Sequence, residues 1–204
     1  KGFLLVDSGA TYMDGTTDIT RTYPLGPLTE DEKRFYTWTL QSHIDLAKAV
    51  WLDYCECKMI DTIAREPLWR HLINYRCGTG HSVSFVGNVH EGPHALNSRN
   101  TTRMRPGMVV TDEPGVYETD LVGIRIENEL VCVHKADNQY GTFLGFEPLM
   151  FVPIATSPIL PGVLDKDEIA WLNDYHRQVF AKLAPHLNDE ERSWLAEKCA
   201  AIGC

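Results

Sequence analysis

The fold is decided first by residues 3–23, which read FLLVDSGATYMDGTTDITRTY. The runs 3–12 and 16–23 are rich in residues that favour strands, and Met13-Asp14-Gly15 between them contains the Asp-Gly pair typical of hairpin turns. The sequence therefore predicts a β-hairpin that is closed by a tight turn.

Each strand of this hairpin carries one aspartate, and the two residues, Asp7 and Asp18, are eleven positions apart. Because side chains alternate along a strand, an odd separation across a two-residue turn places both carboxylates on the same face. They are diagonal neighbours if Met13-Asp14 form the turn, and they lie further apart if Asp14-Gly15 form it. Two like charges on one buried face repel each other unless a cation neutralises them, so this pair is a candidate cation site.

The composition is that of a soluble globular protein, and it argues against some classes of function. The chain has 204 residues, of which 44% are hydrophobic and 23% are charged, and its formal net charge is −9. We expect no nucleic-acid partner, because there is no basic stripe, and no membrane partner, because there is no long apolar run. The six cysteines form no CxxC pair, which favours a reduced, cytoplasmic protein with Cys55 and Cys57 as ordinary helix residues.

Beyond the hairpin, helical and strand patterns follow one another in an order that favours an α+β fold. Thr29 and Glu32 have the spacing of a capping box and start a helix predicted over 30–53. A second helix is predicted over 55–73, with Pro67 as a possible interruption, and a loop-rich stretch follows it. Further strands are predicted at 108–111, just before 117, at 124–134 and at 143–152, and further helices at 165–183 and 188–201.

Four carboxylates and one imidazole stand out as candidate metal ligands: Asp7, Asp18, His81, Glu113 and Glu127. Taken singly, each has a structural explanation, because strand-end aspartates often form turns, loop histidines often pack, and strand glutamates are usually solvated. Together they form an oxygen-rich set with one nitrogen, which suits Mn²⁺, Co²⁺ or Zn²⁺ better than a thiolate site would. Carboxylates that bridge two such ions would activate one water and polarise a carbonyl group.

The strand predicted around Glu127 repeats this pattern of charge. Arg125, Glu127 and Glu129 alternate with Ile124 and Ile126. Since residues two apart on a strand share a face, the three charged side chains are predicted on one face and the two isoleucines on the other.

Several short motifs occur along the chain in a distinctive order. They are Asp7-Ser-Gly-Ala, Asp18-Ile-Thr-Arg-Thr, Gly78-Thr-Gly-His81, Asn88-Val-His90-Glu-Gly-Pro93, Thr111-Asp-Glu113-Pro-Gly-Val-Tyr117, Gly123-Ile-Arg-Ile-Glu127-Asn and Gly145-Phe-Glu-Pro-Leu. In this order they resemble the motifs of Xaa-Pro aminopeptidases, which belong to the pita-bread superfamily with prolidase, methionine aminopeptidase and creatinase. The resemblance covers nearly the whole chain.

The resemblance implies a site with two divalent ions, Mn²⁺ being the first expectation and Co²⁺ or Zn²⁺ the alternatives. Asp7 would bind one ion, Asp18 and Glu127 would bridge both, and His81 and Glu113 would complete the other.

The resemblance also implies roles in catalysis. Glu113 would carry a proton from the attacking water to the leaving amine. His90 would contact the substrate and stabilise the tetrahedral oxyanion, His81 would act with them as a ligand, and Arg125 would orient the bridging glutamate. His94 has no role that the resemblance supplies, so it is predicted to be a loop residue.

At the level of the whole chain, the resemblance implies the pita-bread fold, which has two similar halves. The chain opens directly on a strand, so it is predicted to be a C-terminal catalytic part that lacks an N-terminal portion. Residues 1–204 would form this partial catalytic domain, with 153–204 as a C-terminal helical extension typical of the long eukaryote-like subgroup. The expected partners are peptides with proline at the second position and a second copy of the chain, as in relatives that form homodimers.

Three alternatives stay open at this point. Cys77 stands where many relatives have a histidine, and it can be either a substrate contact or a buried structural thiol. The activity can be that of a prolidase, which cleaves dipeptides, rather than that of an aminopeptidase. The chain can also be a non-catalytic module of the same fold that binds peptides or proteins.

Overall fold

The computed structural model describes residues 1–203, so that Cys204, one of the six cysteines, lies outside the described residues. The strands are β1 Phe3–Tyr12, β2 Gly15–Pro24, β3 Val50–Leu52, β4 Gly80–His81, β5 Ala95–Leu96, β6 Val109–Asp112, β7 Gly115–Glu118, β8 Val122–Arg125, β9 Asn128–Asn138 and β10 Gly141–Pro148. The α-helices are α1 Glu30–Ala47, α2 Cys57–Trp69, α3 Lys166–Leu183 and α4 Asp189–Lys198. This mixture of antiparallel strands and helices confirms the predicted α+β class.

The β1–β2 hairpin has the register that brings its two aspartates close. Tyr12 pairs with Gly15, so Met13 and Asp14 form the turn. Gly9 pairs with Asp18, and Asp7 lies two residues before Gly9 on the same face. The two carboxylates are therefore diagonal neighbours, which was the closer of the two predicted arrangements.

A four-stranded antiparallel sheet, in the order β3-β10-β9-β6, forms the centre of the molecule. One face of this sheet packs on α2 and on the end of α1, where the cluster of buried apolar side chains includes Leu46, Ile60, Leu130 and Phe146. Burial of apolar surface of this kind is the main force that holds such layers together.

The predicted capping box at the start of α1 is confirmed, but the predicted end of the helix is wrong. Thr29 Oγ1 accepts a hydrogen bond from the Glu32 amide, and the Glu32 side chain accepts one from the Thr29 amide. The helix ends at Ala47 rather than at residue 53, because Val50–Leu52 pair with β10 as an edge strand. Tertiary pairing here overrides the helical spacing of the apolar residues.

Several other predicted boundaries also differ from the observed ones. Helix α2 is shorter than the predicted 55–73 and contains Pro67 in its last turn. Cys57 is its first residue and Cys55 precedes it, so only Cys57 is a helix residue. The strand predicted at 143–152 ends at Pro148, and α4 is shorter than the predicted 188–201.

The single strand predicted over 124–134 is two strands, β8 and β9, with Ile126 and Glu127 between them. The Glu127 amide donates to the carbonyl oxygen of Thr20 on β2 at 3.1 Å. The chain therefore leaves the small β7–β8 sheet, contacts the hairpin, and then enters the central sheet. This break places Glu127 where the β7–β8 sheet, the β1–β2 hairpin and the central sheet meet.

The C-terminal part packs against α1 through a second apolar cluster. Tyr36 and Leu40 of α1 and Leu172 and Tyr175 of α3 are buried together there. Helix α3 begins with Asp165 as N-cap in a capping box. Within the described residues, no helix combines the length and the apolar character that crossing a membrane requires.

Candidate metal centre

Four of the five predicted ligands converge in the structure. His81 Nε2 lies 3.4 Å from Asp18 Oδ2 and 3.1 Å from Glu113 Oε1. Potential ligand atoms of Asp18, His81 and Glu127 all lie within 4.8 Å of one another. These residues come from β2, β4, the end of β6 and the break between β8 and β9, so the fold brings together side chains that are far apart in sequence.

The fifth predicted ligand, Asp7, is joined to this group through Arg125. Arg125 Nη2 donates to Asp7 Oδ2 at 2.5 Å. The Nε of the same guanidinium lies 3.8 Å from Glu113 Oε2 and 3.9 Å from Glu127 Oε2. Arg125 therefore neutralises part of the negative charge of three carboxylates, and Asp7 remains about half exposed on the open side of the hairpin.

Gly80 permits the close approach that positions His81. A Cβ at Gly80 would lie 1.8 Å from the carbonyl oxygen of Thr111, so any other residue would push β4 away from β6. The His81 amide donates to Thr111 Oγ1 at 3.0 Å, and this hydroxyl donates to Glu113 Oε1 at 2.9 Å. The Glu113 amide in turn donates to the Thr79 carbonyl oxygen at 2.7 Å.

Glu127 is oriented by a threonine that the prediction of site residues did not include. Thr20 Oγ1 donates to Glu127 Oε2 at 2.5 Å and accepts from Arg125 Nε at 3.0 Å. Tyr117, also not predicted as a site residue, accepts from Arg125 Nη1 at 2.6 Å. Thr20, Thr111 and Tyr117 all belong to the motifs quoted above, each in the same motif as a predicted ligand. Their place in these motifs could have identified them as site residues.

The electrostatics of the cluster are those of a site for a cation. Burial raises the pKa of Glu127 to about 8, and the negative charge of Glu113 adds to this effect. Burial alone would lower the pKa of His81, but its hydrogen bonds to Asp18 and Glu113 outweigh burial and raise the pKa to about 10. The buried carboxylates thus need positive charge nearby to be ionised together.

The donor set fits divalent metal ions. His81 Nδ1 lies 3.2 Å from the Ser82 carbonyl oxygen, which can only accept, so Nδ1 is a donor. Nε2 faces Asp18 and Glu113, and it would become a ligand once a metal ion displaces its proton. Carboxylate oxygens with one imidazole nitrogen suit Mn²⁺, Co²⁺ or Zn²⁺. Asp18, His81 and Glu127 offer ligand atoms within 4.8 Å of one another and Glu113 lies beside His81, so these four residues could hold such ions.

The remaining predicted residues lie at the edge of the cluster or away from it. The ring centroids of His90 and His81 are 3.8 Å apart, so His90 is placed beside the ligands. His94 precedes β5 in a loop, as predicted, and its Nε2 lies 2.7 Å from the Val109 carbonyl oxygen. Cys77 is exposed, and its Sγ lies 3.8 Å from the Gly115 carbonyl oxygen, so the predicted alternative of a buried thiol is wrong.

A buried polar network that the sequence analysis did not predict lies behind the ligands. His43 Nδ1 is 3.1 Å from Asp112 Oδ2, and His43 Nε2 is 3.3 Å from Asn128 Nδ2. Asn128 Oδ1 accepts from Arg21 Nη2 at 2.8 Å and from the Tyr175 hydroxyl at 3.2 Å. Because Asp112 and Asn128 are each next to a ligand in sequence, this network fixes the backbone that carries Glu113 and Glu127.

Two family sequence models match this chain, one over each of its two parts. Residues 1–134 match the sequence model of metallopeptidase family M24. Residues 142–202 match the model of the C-terminal region of peptidase M24.

A curated relative, aminopeptidase P1 of Lotus japonicus, is 42% identical over 205 residues, which cover 98% of this chain and 31% of the relative. The chain spans about a third of the length of the curated relatives it matches. The crystal structure of X-prolyl aminopeptidase from Caenorhabditis elegans, described as a cytosolic enzyme with a di-nuclear active site, has a TM-score of 0.93 and 39% identity, and the match covers 98% of this chain and 34% of that chain. Prolidase from Pyrococcus furiosus has a TM-score of 0.61 and 29% identity, covering 72% of this chain and 40% of that chain.

Proposed function

This chain belongs to metallopeptidase family M24 and has its pita-bread fold, and from that premise we propose that it is a catalytic part of an Xaa-Pro aminopeptidase. The reaction is hydrolysis of the bond between the first residue of a peptide and a proline at the second position. The observation that carries the proposal is the convergence of Asp18, His81, Glu113 and Glu127 from four separate segments. Residues 1–204 would be one partial catalytic domain, with 153–204 as its helical extension.

The proposed cofactor is a pair of divalent ions, with Mn²⁺ as the first choice. Asp7, Asp18, His81, Glu113 and Glu127 would hold this pair. When bound, such a pair supplies an activated water and polarises the scissile carbonyl. Asp7 would exchange its contact with Arg125 for a contact with an ion, which its exposed position allows.

The protein residues would position the substrate and move protons. Glu113 is held at Oε1 by Thr111, which leaves its other oxygen to take a proton from the attacking water and give it to the leaving amine. His90, beside His81, would donate to the oxygen of the tetrahedral intermediate. Arg125 would orient Glu127 and restrain Asp7.

The relatives that match nearly the whole chain favour an aminopeptidase over a prolidase, because those at 42% and 44% identity are aminopeptidases P. The match to the X-prolyl aminopeptidase covers 98% of this chain, including the part after residue 148 that forms α3 and α4. The match to the prolidase covers only 72%. A cytosolic location is the corresponding proposal, since the Caenorhabditis elegans structure is described as that of a cytosolic enzyme. The proposed assembly is a homodimer, as the family resemblance implies.

The proposal is tested by release of arginine from the tripeptide Arg-Pro-Pro with added Mn²⁺ and with chelator. We expect cleavage that requires the ion and that is lost in Asp18→Ala. The matched control is Asp53→Ala, because Asp53 lies in an exposed turn after β3 and outside the cluster.

The alternatives give different results in the same assay. Faster cleavage of the dipeptide Arg-Pro than of Arg-Pro-Pro would indicate a prolidase. Absence of cleavage, together with absence of Mn²⁺ binding by calorimetry, would refute the proposal for this chain and favour a binding module.

A further inference from the structure

A cavity lies beside the candidate metal centre, between the tip of the β1–β2 hairpin, the loop after β4, and the strands β6 and β9. Its volume is about 750 Å³, and we call it the hairpin pocket. Three of its lining side chains, Tyr12, Phe85 and Met108, are largely apolar. This volume is within the range of cavities that bind small molecules.

Several residues that line the hairpin pocket lie in the same segments of the chain as the candidate metal ligands. Thr17 precedes Asp18, and Val83 and Glu129 each follow a ligand by two residues. Thr16 Oγ1 donates to the Phe85 carbonyl oxygen at 3.4 Å and so joins two of these segments. A peptide held at the metal centre would therefore have one of its side chains close to this pocket.

Glu129 contributes a buried acceptor to the pocket. Its side chain lines the cavity and the residue is only 4% exposed. Its Oε1 has no hydrogen-bond partner within the described residues 1–203. A buried acceptor without a partner is costly, so a donor that enters the pocket would be bound favourably.

His94 contributes a second acceptor independently. Its Nε2 lies 2.7 Å from the Val109 carbonyl oxygen, and because a carbonyl only accepts, Nε2 carries the proton. In the neutral ring Nδ1 is then an acceptor, and it too is buried without a partner in the described part of the chain. His94 also lines the pocket, so two unpaired acceptors border the same cavity.

The charge of the lining residues indicates what charge a ligand of the pocket should carry. Two carboxylates, Asp14 and Glu129, line the pocket, and among the described residues that line it there is no lysine or arginine. Anionic groups are therefore disfavoured, whereas a group with several N–H donors and positive charge is complementary. The apolar lining would pack on the methylene groups of a long basic side chain.

We propose that the hairpin pocket binds a lysine or arginine side chain of the peptide substrate, with Glu129 and His94 accepting hydrogen bonds from its cationic head. This inference rests on the proposed function, because it assigns that enzyme a preference for basic substrates. Glu129 would thereby determine specificity.

The first test compares cleavage of Lys-Pro-Pro with cleavage of norleucine-Pro-Pro, whose first side chain has a similar aliphatic chain without the ammonium group. In the Mn²⁺-loaded protein we expect kcat/KM to be higher for the lysine peptide by roughly tenfold or more, as for hydrogen bonds to charged groups. In Glu129→Gln this ratio should fall close to one. The matched control Glu147→Gln, at an exposed position on β10, should keep the ratio of the unchanged chain.

The second test measures binding without cleavage. Methyl-¹³C methionine labels report on the pocket through Met108 and Met150, which line it, and on a distant surface through Met59. Titration with n-butylammonium should shift the signals of Met108 and Met150 but not that of Met59, and n-butanol should produce much smaller shifts. Glu129→Gln should abolish the selective shifts.

The two tests separate failure of this inference from failure of the proposed function. Cleavage of both peptides at equal rates, or a lysine preference that persists in Glu129→Gln, would overturn the inference and leave the enzyme intact. Selective shifts of the pocket methionines without cleavage of any peptide would support the pocket and refute the activity. Shifts of all labelled methionines alike, or of none, would overturn the pocket as a site for cations.

Discussion

At the scale of single residues, one hydroxyl group connects the carboxylate of Glu127, the most buried of the candidate ligands, to the guanidinium of Arg125. Thr20 donates to Glu127 and accepts from Arg125, so it fixes the direction in which the Glu127 carboxylate points. Residues that orient ligands in this way typically change metal affinity by about 10- to 100-fold when they are replaced.

We therefore expect Thr20→Val to weaken Mn²⁺ binding by roughly tenfold or more while the protein stays folded, because valine has a similar shape and no hydroxyl. Isothermal calorimetry on the metal-free chain measures this directly. Thr20→Ser should keep most of the affinity. Thr62→Val on the exposed face of α2 is the matched control, and equal affinities for Thr20→Val and the unchanged chain would contradict the orienting role.

A second residue-scale prediction concerns Asp45 on α1, which lies apart from the metal centre. Burial raises its pKa from the ordinary value of 3.8 to about 6, and the negative charge of Glu168 adds to this. Since the folded pKa is above the unfolded one, the ionised form costs stability above pH 6, and the cost fades as the pH falls toward 4.

Asp45→Asn should therefore raise the free energy of unfolding at pH 7 by about 1 kcal/mol, after allowance for solvent screening of a partly exposed group. Urea denaturation of both proteins at pH 7 and at pH 4 measures the effect, and the advantage should be small at pH 4. A stabilisation that is the same at both pH values would show that charge is not its cause.

At the scale of secondary-structure elements, helix starts are encoded locally, whereas helix ends are not. Three helices begin with a capping box, formed by Thr29, Asp165 and Asn188 with a glutamate three residues later. The capping box of Thr29 was predicted from the sequence, because its signal lies within four residues. For the other two helices, the predicted first residues 165 and 188 are the N-caps. The end of α1 was not predicted, since Val50–Leu52 leave the helix to pair with a strand that is about ninety residues further on.

The capping box of α1 gives an element-scale prediction. Thr29→Ala removes the acceptor for the Glu32 amide and should lower the free energy of unfolding by about 1 kcal/mol. Thr29→Ser should lower it much less, because serine retains the hydroxyl. Urea denaturation followed by far-UV circular dichroism distinguishes the two, and equal losses for both variants would indicate that packing of the threonine methyl group is responsible.

In the candidate site, too, the residues within short sequence motifs were predicted, and the contacts between distant segments were not. The five predicted ligands were recognisable because each lies in a short motif, and the structure brings four of them together. The network of His43, Asp112 and Asn128 was not recognisable, because its members come from α1, β6 and β9 and no motif joins them. The break at Glu127 also escaped prediction, since it depends on a backbone hydrogen bond to Thr20.

At the scale of the whole molecule, Arg21 joins the C-terminal part to the metal centre. Its guanidinium donates to the Val152 carbonyl oxygen at 2.7 Å and to the Tyr175 hydroxyl at 2.9 Å. On the other side it donates to the backbone oxygens of Thr20 and Glu127. The C-terminal part is thereby tied to the backbone that holds two residues of the site.

Arg21→Met should lower the free energy of unfolding by about 3 kcal/mol or more, because it leaves several buried carbonyl groups without a donor. It should also increase cleavage by trypsin within 166–198 under native conditions. Urea denaturation and timed proteolysis measure both effects. Arg76→Met, at an exposed loop position before β4 and outside 166–198, is the control, and resistance of Arg21→Met to trypsin equal to that of the unchanged chain would contradict the coupling.

The long separation of contacting residues has a consequence for biosynthesis. Asp7 and Arg125 are 118 residues apart along the chain, and Arg21 and Tyr175 are 154 apart. As the ribosome makes the chain from its N-terminal side, the hairpin emerges well before the strands and the helix that complete the site, and contacts of such long range form slowly. Ions that bind only the finished arrangement stabilise it and not the growing chain. Loading of the proposed ions would therefore follow translation, and cellular metal supply would act on the folded chain.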